Sequence, residues 1–194
     1  MGFHMFDADR AATLDDPARF ERCSVEELFG ALAVDERATV ADLGSGTGLY
    51  TTRLAAGVGH VYAVDVQAVM HDHYRETGVP SNVELVAADI GKLPFADDAL
   101  DGAVSTFTFH EFAGEGALAE CRRVLAPGAR LALVDWSAAG PRAAGPPTDE
   151  RYDATDAVRL LTDAGFAVPT STERRDTFAV TARVPDDDPS AGEK

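Results

Sequence analysis

Val40-Ala41-Asp42-Leu43-Gly44-Ser45-Gly46-Thr47-Gly48-Leu49 is the stretch that decides the fold of this chain. A short apolar run ends at Leu43, three glycines follow at alternate positions, and a segment of helical period, Leu49 to Ala56, comes next. The order is strand, tight loop, helix. Glycine lets the backbone turn sharply and approach a ligand closely, and the start of the following helix offers unpaired amides and a favourable dipole to a negative group. A nucleotide or a carboxylate suits such a loop. Dinucleotide-binding enzymes carry G-x-G-x-x-G, whose third glycine lies where helix meets strand. Here that position is Leu49, and the third glycine is Gly48, one residue early, with Asp42 at the strand end before the loop. The spacing speaks against a nicotinamide or flavin ligand.

Outward from this loop, apolar runs rich in Val, Leu and Ala alternate with helical segments, the pattern of an α/β fold with a mostly parallel sheet. The expected strands are Thr39–Leu43, His60–Asp65, Val83–Ala88, Gly102–Phe107, Arg130–Trp136, Ala167–Ser171 and Thr177–Val184. Val61-Tyr62-Ala63-Val64 and Leu131-Ala132-Leu133-Val134 have the unbroken apolar character of central strands buried on both faces. Ser24 to Glu27 has capping-box spacing, and Asp16-Pro17 supplies a cap and a first-turn proline, so an ordered N-terminal helical arm is expected over about 1–36. A helix is expected from Gly116 to Ala126, stopped by Pro127-Gly128, and another from Asp153 to Ala164, stopped by Gly165. Ala138 to Glu150 reads as irregular, and the tail 185–194 as acidic and disordered. One domain is expected over 1–184.

Acidic residues stand at the ends of three successive strands. The second strand ends in Asp65, 21 positions after Gly44, where a carboxylate can accept from both hydroxyls of a ribose; Val66 follows it. The third ends in Asp89-Ile90, which suits an adenine, the carboxylate accepting from the exocyclic amine and Ile90 packing on the ring. Each feature alone has a plain alternative as a turn or a cap. Their order on the carboxyl side of consecutive strands, where open α/β sheets bind ligands, makes them a site.

The chain has 194 residues, 33 acidic against 17 basic, for a formal charge of −16. Such acidity repels phosphate backbones and disfavours nucleic-acid partners, and it is read as a halophilic adaptation to a salty cytoplasm. No apolar run is long enough to span a membrane and no secretory leader is read at the start, so a soluble cytoplasmic protein is expected. Cys23 and Cys121 read as buried thiols, and His71 and His73, two apart on an expected surface helix, do not share a face as metal ligands would, so no metal is expected.

With these motifs the chain resembles the class I S-adenosylmethionine-dependent methyltransferases, in particular the methyltransferase type 11 group around the ubiquinone/menaquinone-biosynthesis methyltransferases. Val40 to Gly48 looks like that family's first motif and Val61 to Asp65 like its second; Asp89-Ile90, Leu93-Pro94-Phe95, Leu100-Asp101 and Arg123 to Gly128 stand where it has further motifs. The resemblance implies a Rossmann-like seven-stranded sheet with helices on both faces and an antiparallel last strand. It implies S-adenosylmethionine as cofactor, with Gly44, Gly46 and Gly48 at the methionine part, Asp65 at the ribose, Asp89 at the adenine, and Thr106 and Phe107 facing the cofactor. Gly128-Ala129 departs from the family's usual glycine pair. A subgroup of small prokaryotic proteins shares a similar His4-Met5-Phe6-Asp7 start, His110-Glu111, Asp135-Trp136, Gly145-Pro146-Pro147 and Glu150-Arg151.

The expected function is in-line methyl transfer to a small, apolar or aromatic acceptor. A sulfonium already makes its methyl electrophilic, so the protein's task is orientation and exclusion of water. His110, just past the fourth strand, is the first candidate for a general base and Glu111 the second. His4, Phe109, Trp136 and Arg151 are the candidates for the acceptor pocket. The alternatives are a binding module that keeps the cofactor but has lost chemistry and, behind it, an NAD-linked oxidoreductase.

Overall fold

A computed structural model describes residues 6–141 and 144–186. The arm is ordered as 3-10 turns over Ala8–Asp15 and Pro17–Glu21, the second capped by Asp16, whose side chain accepts from the Ala18 amide at 2.9 Å. Ser24 caps α1 (Val25–Leu32) through the Glu27 amide at 3.2 Å, as the capping-box spacing requires. Then follow β1 (Thr39–Leu43), α2 (Leu49–Leu54), β2 (His60–Asp65), α3 (Ala68–Thr77), β3 (Val83–Ala87) and β4 (Leu100–Thr106). The rest is α4 (Phe109–Phe112), α5 (Glu115–Val124), β5 (Leu125–Trp136), α6 (Ala154–Asp163), β6 (Ala167–Glu173) and β7 (Thr177–Arg183).

The strands form one seven-stranded sheet in the order β3-β2-β1-β4-β5-β7-β6. The first five pair in parallel, and β7 inserts antiparallel between β5 and β6. The expected fold and its antiparallel last strand are therefore present. Successive side chains alternate between two cores: Ala41, Leu43, Leu131 and Leu133 pack toward α5 and α6, while Val40, Val61, Ala132 and Val134 pack toward α1 and α2. Strands buried on both faces have no polar side to show, which is why their sequences do not alternate.

Three expectations are corrected. Pro127-Gly128 does not stop a helix, because α5 already ends at Val124 and β5 starts at Leu125. The pair instead sits at an irregularity: Leu125 pairs with Leu100, the register shifts, and regular pairing resumes at Arg130. His71 is not on a surface; it is buried on α3, while His73 faces Glu76 at 4.0 Å. Cys23, whose surroundings have the pattern of an amphipathic helix in the sequence, lies ahead of α1 and outside it, though both thiols are buried and free as expected. Most of the 185–194 tail, and His4, fall outside the described residues. No described helix is long and apolar enough to cross a membrane.

Candidate functional site

The strand order reverses between β1 and β4, whose connections run to opposite sides of the sheet, and the crevice at such a switch point is where open α/β sheets take ligands. The loops after β1, β2, β3 and β4 here enclose a cavity of about 320 Å³. Gly44, Gly46, Asp65, Val66, Asp89, Ile90, Thr106 and Phe107, all expected from the sequence, line it.

The first loop is tied to β2 by the amides of Gly44 and Ser45, both of which donate to the Val64 carbonyl at 2.9 Å. Gly44, Gly46 and Gly48 have φ of 79°, 53° and 86°, in the left-handed region that favours glycine. A Cβ on Gly44 would run into the Thr108 side chain, and one on Gly48 into the ring of Tyr74. Gly48 thus contributes close packing under the loop and does not line the cavity.

Asp65 is fixed by two amides, Gly46 N–H to Oδ2 at 2.9 Å and Gln67 N–H to Oδ1 at 2.8 Å. One carboxylate therefore clamps the glycine loop to the β2 turn while lining the cavity. Burial pushes its pKa up, and the Gln67 and Gly46 amides and His71 work against that. Asp89 is exposed and holds its own loop through Gly91 N–H at 2.8 Å.

Asp42 lies under the loop, not on the cavity wall. It is 1% exposed, its Oδ2 accepts from the Thr51 hydroxyl at 2.6 Å, and its Oδ1 has no partner. Burial raises its pKa to about 6, the Thr51 bond opposing and Asp65 adding to the rise. A carboxyl whose folded value lies above its unfolded 3.8 is held better protonated, so ionising it costs stability as pH rises from about 4 to about 6. We expect Asp42→Asn to gain about 2 kcal/mol over the parent in urea denaturation at pH 7.5, and little at pH 4. An equal gain at both pH values would remove the charge from the explanation.

One wall of this cavity comes from the N-terminal arm, of which only His4 is a candidate from the sequence. Phe6, Leu14 and Arg19 of the N-terminal arm line it together with the loops. The arm is bonded to the site at two places: the Thr47 hydroxyl donates to Asp15 Oδ1 at 2.5 Å, and Gln67 Nε2 donates to the Phe6 carbonyl at 3.0 Å. The Arg19 guanidinium lies 4.6 Å from the centre of the Phe107 ring, within cation–π range. Phe107 itself has φ of 60°, an uncommon value for an aromatic residue, held by its amide donating to the Val134 carbonyl at 2.7 Å. Backbone placed this way commonly marks a working site.

Of the two candidates for a general base, Glu111 lines the cavity and His110 does not. His110 is buried, absent from the cavity wall, and fixed from behind by Asp135, whose oxygens lie 2.9 and 3.1 Å from its Nδ1. Asp135 is 0% exposed and also accepts the amides of His110 and Trp136, each at 2.7 Å. Burial pulls the His110 pKa down, but Asp135, through charge and hydrogen bond, outweighs it with Glu111 and Glu150, and the net shift is upward. Glu111 does line the cavity, with Oε1 3.8 Å from His110 Nε2. Burial raises its carboxyl to about 7; His110 and the Phe6 amide pull downward, while Asp65 and Asp135 push up.

Of the residues expected in an acceptor pocket, none of those described lines the cavity. Phe109 is fully buried among Phe112, Tyr152 and Phe178 in the core. Arg151 is buried, its guanidinium donating to the carbonyls of Ser137, Pro141, Ala144 and Pro146, so it staples the Gly-Pro-Pro loop. Trp136 sits behind Phe107 at 5.2 Å, with Arg22 and Arg151 on its own ring. Among the described residues no cluster of three or more His, Cys, Asp or Glu could hold a metal.

Residues 41–133 match a family described as a methyltransferase domain. Among curated proteins, the chain is similar to an uncharacterized methyltransferase-like protein of Schizosaccharomyces pombe, 36% identical over 54% of this chain and 40% of that one. It is also similar to the ubiquinone/menaquinone biosynthesis C-methyltransferase UbiE of Vibrio campbellii, 36% identical over 50% of this chain and 41% of that one. The chain thus spans about two fifths of the length of these curated relatives. A crystal structure of a SAM-dependent methyltransferase from Aquifex aeolicus superposes with a TM-score of 0.84 at 35% identity, over 93% of this chain and 100% of that one. A match of that identity over nearly both whole chains carries the motifs and the sheet together, and the chain belongs to the class I S-adenosylmethionine-dependent methyltransferases, with S-adenosylmethionine as cofactor.

Proposed function

We propose that the protein transfers the methyl group of S-adenosylmethionine, bound in the switch-point cavity, to a small apolar or aromatic acceptor. The observation that carries this reading is the cavity, where cofactor-type groups and aromatic side chains share one enclosure. The residues present fit the cofactor. Gly44 and Gly46 leave room for its methionine part, Asp65 offers carboxylate oxygens to ribose hydroxyls, and Asp89 with Ile90 suits the adenine amine and ring face. Asp42 and Gly48 act from beneath, holding the loop in shape.

When bound, the cofactor supplies an electrophilic methyl on a sulfonium. This chain's residues orient the partner and keep water out: Phe107 and Phe112 form an aromatic wall, and Phe6 and Leu14 of the arm cover it. Apart from Arg19, Asp65, Asp89 and Glu111 the lining side chains are uncharged, which favours an apolar molecule. The charge of −16, with Lys+Arg totalling 17, supports a small molecule over a nucleic acid, whose affinity comes largely from cations on phosphates.

Isothermal titration with S-adenosylmethionine and with NAD tests the cofactor. Micromolar binding of the first and none of the second is expected, and binding of NAD alone would sink the reading. Methyl release over an aromatic acceptor panel tests chemistry. Tight cofactor binding without turnover on any member would favour a binding module.

A further inference from the structure

Three carboxylates line the cavity, and they are not equivalent. Both oxygens of Asp65 are engaged by amides, and Asp89 is exposed and bonded to its own loop. Glu111 is half-buried like Asp65, and differs from both in being backed by a chain of groups, Asp135 to His110 Nδ1 and His110 Nε2 to Glu111 Oε1. The chain has one sense. Asp135 accepts the amides of His110 and Trp136, and its carboxylate faces the His110 ring at Nδ1, so that nitrogen carries the donating N–H and Nε2 is left facing Glu111. The two residues are consecutive on the four-residue helix α4, where neighbours point about 100° apart, so one turns into the cavity while the other turns back to β5.

We propose that Glu111 is the proton acceptor of the reaction and that its charge follows the charge of the cofactor, with His110 and Asp135 as positioning residues. This rests on the reading of the cavity as the S-adenosylmethionine site. Before transfer, a sulfonium cation is matched by the Glu111 carboxylate. In the step itself an acceptor lone pair bonds to the methyl carbon, and the carbon–sulfur pair stays on sulfur as a neutral thioether. The proton leaving the acceptor moves to a Glu111 oxygen. Cation plus carboxylate becomes thioether plus carboxylic acid, so the enclosed charge does not change and no ion is stranded in a low-dielectric cavity. The acceptor is therefore a protic nucleophile, bearing the O–H, N–H or acidic C–H that yields this proton.

The groups facing Glu111 agree with that role. Behind it are His110 and Asp135, with Glu150 acting on His110; Asp65, Asp89 and Arg19 share its cavity, and the Phe6 amide donates to it. Held up to about 7, its carboxyl is about half protonated in the empty site at neutral pH. A nearby cation lowers a carboxyl by about 1–3 units, and a neutral thioether does not.

The test needs no acceptor, only S-adenosylmethionine and S-adenosylhomocysteine, which differ at the sulfur by one methyl and one charge. Titrating each at pH 7 in buffers of different ionisation enthalpy counts the protons released. We expect about half a proton released with the sulfonium form and almost none with the thioether. The affinity ratio of the two should shift against the sulfonium form by roughly tenfold or more between pH 8 and pH 5. Glu111→Gln should abolish both effects while still binding both nucleosides. His110→Gln should move the midpoint to higher pH, because an imidazolium no longer holds Glu111 down; a merely structural His110 would weaken both affinities and leave the midpoint in place. Equal proton counts for the two nucleosides, or a difference that persists in Glu111→Gln, overturns the proposal. Failure of the parent to bind either nucleoside overturns the reading of the cavity beneath it.

Discussion

Replacing Asp65 by alanine lowers the affinity for S-adenosylmethionine by about two to three orders of magnitude in isothermal titration. Two losses add. We propose that the carboxylate accepts from ribose hydroxyls, and charge-assisted bonds of this kind are worth about 1.5–3 kcal/mol each. The same carboxylate accepts the amides of Gly46 and Gln67, so its removal frees the glycine loop from the β2 turn and leaves two donors unpaired. Asp65→Asn separates the two losses, since an amide oxygen still accepts one backbone bond but its NH₂ meets the other amide and the ribose as a donor. It should recover less than about tenfold of the affinity. An affinity for Asp65→Ala within about fivefold of the parent would mean that the ribose is held elsewhere.

Gly48→Ala destabilises the protein by about 2–5 kcal/mol in urea denaturation, with or without cofactor. At φ of 86° an L-residue costs about 1–3 kcal/mol. The added Cβ also enters the ring of Tyr74, which is 1% exposed and anchored by its hydroxyl to Thr52 at 2.8 Å, so the ring cannot swing clear. Overpacking of that kind adds about 1–3 kcal/mol. Gly46→Ala is the contrast: its Cβ would meet only the tip of Leu14 at 3.2 Å, so the backbone term stands nearly alone and the loss should be about 1 kcal/mol. Equal losses at the two positions would show that Tyr74 yields and that packing is not the reason for glycine at 48.

The cofactor loop and the strand-end acids were legible in the sequence. The loop from Gly44 to Gly48 and the acids Asp65 and Asp89 announce themselves because each stands at the end of an apolar run, and a parallel sheet then brings those ends to one edge. The arm's part was legible only as far as His4. Leu14, Asp15 and Arg19 carry no motif, and only the return of the chain over the glycine loop gives them a role; the Thr47 to Asp15 bond spans 32 residues. That Glu111 and not His110 lines the cavity has a local cause. The sequence places both just past β4, but which of two adjacent side chains turns inward depends on a single turn of helix. Arg151 reads as an acceptor-pocket candidate beside a proline-rich loop, and the carbonyls that such a loop cannot pair within itself are what it serves. Pro127-Gly128 has the look of a helix stop and proves to be a strand irregularity, since both settings tolerate a missing N–H and a φ of 83°.

Trp136 is the single tryptophan of the chain, and its ring lies 5.2 Å from that of Phe107 at a tilt of 44°, with the Arg19 guanidinium also over the Phe107 ring. Phe107 is on the cavity wall and Trp136 is one ring behind it. All indole fluorescence of the protein therefore originates from one residue, a ring's thickness from the cavity. Any ligand that displaces Arg19 or tilts Phe107 changes the polarity around that indole, so cofactor entry and arm movement can be followed in real time by intrinsic emission, without a label and without background from a second tryptophan.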